Sequence, residues 1–228
     1  LALYAAQEGK VEPLAAAQAL LVAAQSLGAQ LHSHTPVNAL VQAHGRVTGV
    51  RTQRGVMQAD EVVLAAGTGS CTLLEGLGLR VPIQSPAGLL VHSKPTRPLL
   101  KKLLMTPDLH VRQTADGRLV AAADYVGSIE GQDPQQLAQA LFAKVQAMVA
   151  GAEQLEMDFF TLGHRPTPGD GFPLLGRPGN TQGLYLAVTH SGITLAPAVG
   201  LFAAQELLQG MRDPLLTPYH PDRLLQMA

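Results

Sequence analysis

One stretch of the sequence has the residue types and spacing of a binding site for an anion. Residues 185–188 form a short apolar run typical of a buried strand, and Ser191 and Gly192 follow it. Apolar residues then recur at helical spacing to about residue 208, and Gly210 supplies a C-terminal stop. A helix that begins where a strand ends presents unpaired N–H groups and partial positive charge, which favour an anion. We expect Gly192 to adopt a positive φ and to let the backbone approach a ligand; an ordinary strand–helix turn is the alternative.

A single arginine precedes a run of proline, glycine and aspartate upstream of this turn. Arg165 lies in the segment 163–176, Gly-His-Arg-Pro-Thr-Pro-Gly-Asp-Gly-Phe-Pro-Leu-Leu-Gly. A guanidinium is planar, always charged and able to hold a carboxylate through two parallel hydrogen bonds. Arg165 is therefore a candidate carboxylate-binding residue, and a structural salt bridge is the alternative. Asp170, in Gly-Asp-Gly, has the sequence of a turn.

The segment 163–176 and the segment 189–197, Thr-His-Ser-Gly-Ile-Thr-Leu-Ala-Pro, together resemble the C-terminal part of the FAD-dependent D-amino-acid oxidase (DAO) family. Within that family the sequence is most similar to the glycine oxidase, sarcosine oxidase and D-amino-acid dehydrogenase branches. The resemblance implies an enzyme with FAD as cofactor. It implies oxidation of an amino acid or related amine by hydride transfer to flavin N5, giving an imine that hydrolyses. It implies no catalytic side chain, because the protein mainly orients the substrate. Oxidase and dehydrogenase activities both stay open.

The resemblance also assigns roles to individual residues. The positions implied in FAD binding are Val37, Ala66, Gly67, Thr68, Gly163, His190, Ser191, Gly192, Ile193 and Thr194. The positions implied in binding the substrate, a small amino acid or amine, are Arg165, His110 and Tyr125. A plain strand–helix turn is the alternative interpretation of residues 65–67.

Composition limits the class of protein. The 228 residues are 46% hydrophobic and 14% charged with a net charge of −1, which is typical of a globular protein and does not indicate nucleic-acid binding. The single cysteine, Cys71, excludes an intrachain disulfide and favours the cytoplasm; we interpret it as a packing residue. No apolar run reaches the roughly 20 residues of a membrane helix. His32 and His34 lack the further ligands that zinc requires, so no metal site is predicted.

The order of the elements predicts an α/β (α+β) fold. The predicted helices cover 13–27, 134–149 and 193–208, and the predicted strands cover 30–34, 37–43, 47–53, 56–58, 61–67, 89–93, 109–113, 118–124, 155–163 and 185–188. The resemblance divides the chain into a partial, discontinuous FAD-binding Rossmann-like domain, 1–80 and 164–228, and a substrate-binding domain with a mainly antiparallel sheet, 81–163.

The phosphate-binding loop of the family is not found in this sequence. No Gly-x-Gly-x-x-Gly occurs in the 228 residues, whereas a βαβ unit with that loop carries the FAD pyrophosphate. We therefore expect the N-terminal Gly-rich βαβ unit of the FAD-binding domain to be missing from the chain. It is either a separate or cleaved chain that acts as a partner, or it is simply absent; oligomeric state is left open. A second hypothesis is a non-catalytic or regulatory subunit that keeps the fold and does not bind flavin on its own.

Overall fold

The chain divides into two compact units. A computed structural model describes residues 3–7, 9–122 and 131–227. The first unit contains Leu1–Ala29 and Ala87–His164, and the second contains Gln30–Pro86 and Arg165–Ala228. Residues before 30 thus group with the middle of the chain, whereas the predicted division joined 1–80 to 164–228. The assignment of one unit to FAD and of the other to substrate stays a prediction.

The described residues form four helices and fifteen short strands, joined by three 3₁₀ segments. The helices are α1 Pro13–Ser26, α2 Ser70–Glu75, α3 Pro134–Met148 and α4 Gly192–Gln209. The strands are β1 Val37–Ala43, β2 Arg46–Thr52, β3 Gly55–Gln58, β4 Val62–Leu64, β5 Leu79–Arg80, β6 Ile83–Gln84, β7 Ala87–Ser93, β8 Leu104–Met105, β9 His110–Gln113, β10 Leu119–Ala122, β11 Met157–His164, β12 Thr167–Pro168, β13 Leu174–Gly176, β14 Leu184–Val188 and β15 Gln226–Met227. The 3₁₀ segments are Gly67–Gly69, Pro214–Tyr219 and Pro221–Arg223.

The first unit is built on a five-stranded antiparallel sheet with α3 on one face. The strand order is β11-β7-β10-β9-β8, which confirms the predicted antiparallel sheet. α3 begins at Pro134, and the Asp133 carboxylate caps it by accepting a hydrogen bond from the Gln135 N–H at 3.0 Å. Alternate strand residues point toward α3, and together with its apolar face they form the core. That core includes Leu89, Val91, Val111, Leu119, Ala121, Ala138, Leu141, Phe142 and Val145.

The second unit contains the parallel strand pair that positions the predicted cofactor turns. β14 runs parallel to β4 and antiparallel to β13, giving the order β13-β14-β4. α4 packs against β13 and β14. A separate antiparallel meander, β1-β2-β3, and the two short pairs β12-β6 and β15-β5 complete the unit. Its buried core consists of Leu40, Val47, Leu64, Leu74, Leu79, Val81, Leu174, Leu184, Leu186 and Val188.

Two predicted elements differ from the structure. Residues 30–34 contain no strand: a turn in which His34 has a φ of 51° ends the extended chain, and no described strand lies beside it. The predicted strand 118–124 is observed as β10, and residues 123 and 124 lie outside the described residues. The helix at 13–27 is confirmed as α1, although none of its residues is buried. In the described ranges, no helix is both long enough and apolar enough to span a bilayer.

Candidate functional site

The two turns assigned to the cofactor lie at one edge of a single sheet. Because β4 and β14 are parallel neighbours, with Leu184 beside Val62 and Leu186 beside Leu64, their carboxyl ends lie at the same edge. The 65–68 turn follows β4, and the 189–194 turn follows β14. In open α/β sheets, ligands bind outside the carboxyl ends of the strands. The structure therefore brings eight of the ten predicted cofactor positions to one edge of the second unit.

The start of α4 offers unpaired backbone donors. The first hydrogen bond within the helix joins the Leu195 N–H to the Ser191 carbonyl at 2.9 Å. The N–H groups of Gly192, Ile193 and Thr194 therefore have no partner inside the helix, and no side chain caps this end. All three residues are exposed. His190 is fixed beside them, since its Nδ1 lies 2.8 Å from the Ser191 Oγ.

The expected positive φ at Gly192 is wrong. Gly192 is the first residue of α4 and is not among the glycines with positive φ, because it already has the helical conformation. The expected open space beside it is present: a Cβ added there would meet nothing within 4 Å. A side chain at this position would occupy the room that a ligand needs for close approach. It would not strain the backbone.

The 65–68 turn lies at the same sheet edge, at the carboxyl end of β4. Gly67 has a φ of 57°, and the Gly69 N–H donates to the Ala66 carbonyl at 3.0 Å, which begins the short 3₁₀ segment. Ala66 and Thr68 are exposed. Ser70 follows with a fully buried side chain, and in the described part of the chain its Oγ is the one buried side-chain polar atom that lacks a hydrogen-bond partner. No pattern in the sequence predicts this buried hydroxyl.

Arg165 lies at the start of the second segment of this unit. Its backbone N–H donates to the Pro86 carbonyl at 3.1 Å, which continues the path of β11. The side chain is exposed, and its guanidinium forms no ion pair with any residue in the described ranges. The structural salt bridge that was the alternative for Arg165 is therefore not observed there.

The loop that follows Arg165 is held by an ion pair that the sequence analysis missed. Arg223 donates two hydrogen bonds to the Asp170 carboxylate, from Nε at 2.6 Å and from Nη2 at 3.0 Å. It also donates from Nη2 to the Phe172 carbonyl at 2.9 Å. The hydrogen bond from Arg223 is the main cause that lowers the pKa of Asp170. Asp170 also accepts from the Phe172 N–H at 3.1 Å, which confirms the predicted turn.

The remaining predicted site residues lie on other elements. His110 is half-buried in β9 and Gly163 is exposed in β11, both in the first unit. Val37 begins β1 in the second unit, where it pairs with Thr52 in the separate meander. Tyr125 lies outside the described residues. Substrate binding by His110 and Tyr125, and cofactor binding by Val37 and Gly163, stay predictions.

The sheet face opposite α3 carries His110 together with residues that were not predicted. Arg112 lies two residues along β9 on the same face, and its Nη1 donates to both carboxylate oxygens of Glu12 at 2.7 Å. On β7 and β11 of the same sheet, the rings of His92 and Phe159 stack at 4.3 Å. Burial, followed by the charge of nearby arginines, lowers the pKa of His92.

A cavity of about 550 Å³ lies at the opposite edge of the β13-β14-β4 sheet, before β4 and β14 begin. Glu61 joins two arginines there, at 3.2 Å to Arg46 and 2.7 Å to Arg177. Burial raises the pKa of Glu61, but its hydrogen bonds and charge contacts with the two arginines outweigh burial and lower it. These ions satisfy one another, and the cavity lies at the edge away from the two turns.

The described part of the chain contains no group of three or more His, Cys, Asp or Glu that could hold a metal ion. Cys71 is half-buried in α2 and its Sγ donates to the Val81 carbonyl at 3.7 Å, which is consistent with a packing residue.

Comparison with known proteins identifies the fold family. The family profile DAO, FAD dependent oxidoreductase, matches residues 1–206. Glycine oxidase of Pseudomonas putida is 33% identical over 204 residues, which cover 84% of this chain and 53% of that protein. The bifunctional protein ThiO/ThiG of Synechocystis sp. is 32% identical over 227 residues, which cover 96% of this chain and 34% of that protein.

Solved structures agree with this result. The structure of glycine oxidase from Geobacillus kaustophilus matches with a TM-score of 0.77 and 27% identity, over 91% of this chain and 57% of that one. The structure of L-proline dehydrogenase from P. horikoshii has the same fold, with a TM-score of 0.80 and 21% identity over 92% of this chain and 59% of that one. The chain therefore spans about half the length of the glycine oxidases that it matches.

Proposed function

The chain belongs to the FAD dependent oxidoreductase family, and from that premise we propose that it is part of an enzyme that oxidises a small amino acid or a related amine. The cofactor of the family is FAD. The glycine oxidases among its relatives support a substrate of the size of glycine. The second unit is proposed as the flavin-binding part and the first unit as the substrate-binding part, and a cytoplasmic location is proposed from the single cysteine.

One observation carries this proposal: the edge at which the 65–68 turn and the start of α4 lie together. Both turns are largely exposed, the 65–68 turn is built from small residues, and open space lies beside Gly192. Such an edge fits a flat ring and its polar atoms. FAD bound there would supply the acceptor for two electrons. The backbone N–H groups at 192–194 would stabilise negative charge that develops on it, since preorganised donors stabilise charge without reorganising.

Arg165 is proposed to hold the substrate carboxylate. Its guanidinium is exposed and forms no ion pair with a described residue, so its donors are free to form two parallel hydrogen bonds with a carboxylate. The ion pair between Arg223 and Asp170 fixes the loop that follows it. A fixed carboxylate orients the Cα–H bond of the substrate, and orientation is a large part of the catalytic effect that a protein can supply.

Reduction of the flavin under anaerobic conditions tests this function in the complete protein. Glycine, sarcosine and D-alanine are compared with methylamine, which has the amine and lacks the carboxylate. We expect at least one amino acid to bleach the flavin and methylamine to leave it oxidised. No reduction by any of the four compounds contradicts the proposed function. Reduction by methylamine equal to that by the amino acids contradicts the proposed requirement for a carboxylate.

A non-catalytic subunit that does not bind flavin on its own is the alternative function. The absence of a Gly-x-Gly-x-x-Gly from the 228 residues favours it for this chain in isolation only. We expect this chain alone to bind FAD weakly or not at all, because that loop would supply the donors for the pyrophosphate. Tight stoichiometric binding in a calorimetric titration contradicts this expectation. A complete protein purified without flavin absorption bands supports the alternative.

A further inference from the structure

The 65–68 turn and the segment that begins at Arg165 are in contact. A Cβ built on Gly67 would lie 3.6 Å from the Cγ and 3.8 Å from the Cβ of Pro166. The half-buried ring of Pro166 therefore packs against the side of Gly67 that has no side chain. Both residues belong to the second unit. The contact links the turn proposed for FAD to the neighbour of the arginine proposed for the substrate carboxylate.

The turn against which Pro166 packs is a fixed surface. Gly67 has a φ of 57°, a conformation that glycine adopts without steric cost. The strand before it, β4, pairs with β14, and Ser70 after it is completely buried. The Gly69 N–H donates to the Ala66 carbonyl at 3.0 Å and closes the turn between them. A side chain that packs on this turn is therefore held in one position relative to the sheet edge.

Pro166 also restricts the backbone of Arg165. A proline ring fixes its own φ and disfavours the helical conformation for the residue before it. The Arg165 N–H donates to the Pro86 carbonyl at 3.1 Å, and β12 pairs with β6 directly after Pro166. The Arg165 side chain, by contrast, is exposed and forms no ion pair with a described residue. The position of its guanidinium therefore depends on the backbone, and Pro166 is the neighbouring side chain that supports this backbone.

We propose that Pro166 is a positioning residue, which packs on the Gly67 turn and thereby fixes Arg165 relative to the site of the cofactor. The inference rests on the proposed function, because it takes Arg165 as the ligand of the substrate carboxylate. Pro166 itself touches neither substrate nor cofactor and acts through Arg165. A displacement of about 1 Å can slow a reaction about 100-fold, so the support of this one guanidinium affects both binding and orientation of the substrate.

A proline that only stiffens its loop would affect stability and leave carboxylate binding unchanged. Three variants of the complete protein separate the two roles. Pro166→Ala removes the ring, and Pro166→Val keeps an apolar side chain of similar size against Gly67. Pro178→Ala is the matched control, because it changes a second Arg-Pro dipeptide, in which Arg177 pairs with Glu61 at the opposite edge of the sheet. Circular dichroism and the unfolding temperature establish that each variant is folded.

Three measurements follow the effect of the contact on Arg165. Acetate has the carboxylate of glycine and lacks the amine, and its binding to the complete protein is followed by the flavin absorption. Calorimetry gives the FAD affinity, and NMR gives the rate at which the Arg165 amide exchanges its hydrogen. We expect Pro166→Ala to weaken acetate binding about tenfold and to speed exchange of this amide about tenfold, with FAD affinity within about twofold. In each measurement, Pro166→Val should stay within about threefold of the unchanged protein and Pro178→Ala within about twofold.

A double-mutant cycle tests whether Pro166 acts through Arg165. In the Arg165→Lys background, Pro166→Ala should change acetate binding by less than about twofold, because the group that it positions is already gone. Additive losses, unchanged acetate binding in Pro166→Ala, a Pro166→Val variant as weak as Pro166→Ala, or an equal loss in Pro178→Ala would each overturn the proposal.

Failure of the proposed function has a different result. In that case no amino acid reduces the flavin, while the Arg165 amide of Pro166→Ala still exchanges faster than in the unchanged protein. An unchanged exchange rate of that amide overturns the positioning role of Pro166 whether or not the flavin is reduced.

Discussion

Glu206, the single charged residue of α4, is expected to stabilise the attachment of this helix to its sheet. Its side chain is 11% exposed and accepts hydrogen bonds from Arg212 Nη1 at 2.7 Å and from the buried Tyr185 hydroxyl at 3.1 Å. Arg212 also donates to the carbonyls of Leu175 and Leu216 at 3.0 and 2.9 Å. Glu206→Ala removes the acceptor of the Tyr185 hydroxyl and one of the three acceptors of Arg212.

The magnitude follows from the burial of the partners. Breaking a buried ion pair by removing one member costs about 3–5 kcal/mol. The Arg212 side chain is 25% exposed and keeps two carbonyl acceptors, so we expect Glu206→Ala to lower the free energy of unfolding of the second unit by about 2–3 kcal/mol. Amides of α4 that exchange hydrogen through opening of this unit should exchange about 30- to 150-fold faster in the variant than in the unchanged protein.

The assay is hydrogen exchange over residues 184–209, together with urea unfolding followed by circular dichroism, because the chain has no tryptophan. Glu75→Ala, at the exposed end of α2, is the matched control and should change stability by less than about 0.5 kcal/mol. In a double-mutant cycle with Arg212→Met we expect a coupling free energy of about 1–2 kcal/mol. A Glu206→Ala variant as stable as the control, or a coupling near zero, would refute the reasoning.

Three further predictions concern the same unit. Burial, and secondly the charge of Glu206, raises the pKa of Tyr185. The stability that this tyrosine contributes is therefore fully present below its unfolded pKa of about 10 and declines at higher pH. Tyr185→Phe should remove that decline when urea unfolding is measured between about pH 8 and 11. The pKa of Asp170 is lowered, so the roughly 1 kcal/mol that its pair with Arg223 contributes to the free energy of unfolding is present above about pH 4 and lost below it. Arg223→Ala should abolish this loss of stability in acid. An unchanged dependence of stability on pH in the variant counts against the pair. Gly192→Val should leave the unfolding temperature of the chain unchanged, because its Cβ meets nothing within 4 Å, but should weaken FAD binding by the complete protein about tenfold; equal FAD affinity would show that no ring approaches Gly192.

Local sequence signals predicted the first unit well. The alternation of apolar residues in β7, β9 and β10, and the Asp133-Pro134 start of α3, each depend on neighbours in sequence, so the sheet and its helix were predictable. Residues 30–34 were also predicted as a strand, but a strand requires a partner, and no described strand lies beside them. Residue types indicate that a segment can form a strand, but they do not indicate whether another strand lies beside it.

The candidate site was predictable where it depends on strand–turn–helix order and not where it depends on long-range contacts. The 65–68 and 190–194 turns follow apolar runs, and the parallel pairing of β4 and β14 brings them to one edge. The pairs Asp170–Arg223 and Glu206–Tyr185 join positions 53 and 21 residues apart, and no spacing rule connects them. The positive φ expected at Gly192 was wrong because the helix begins at that glycine and not after it.

Flavin reduction by the Arg165→Lys variant of the complete protein is the most direct test of the proposed site. Lys keeps the positive charge but cannot form the two parallel hydrogen bonds that a guanidinium forms with a carboxylate. Loss of one charge-assisted hydrogen bond weakens the interaction with the carboxylate by about 1.5–3 kcal/mol. Stopped-flow reduction at low substrate should therefore slow by about ten- to a hundredfold, while FAD affinity stays within about twofold of the unchanged protein. Reduction within about twofold of the unchanged rate, or an equal loss of FAD, would contradict the assignment of Arg165 to the substrate carboxylate.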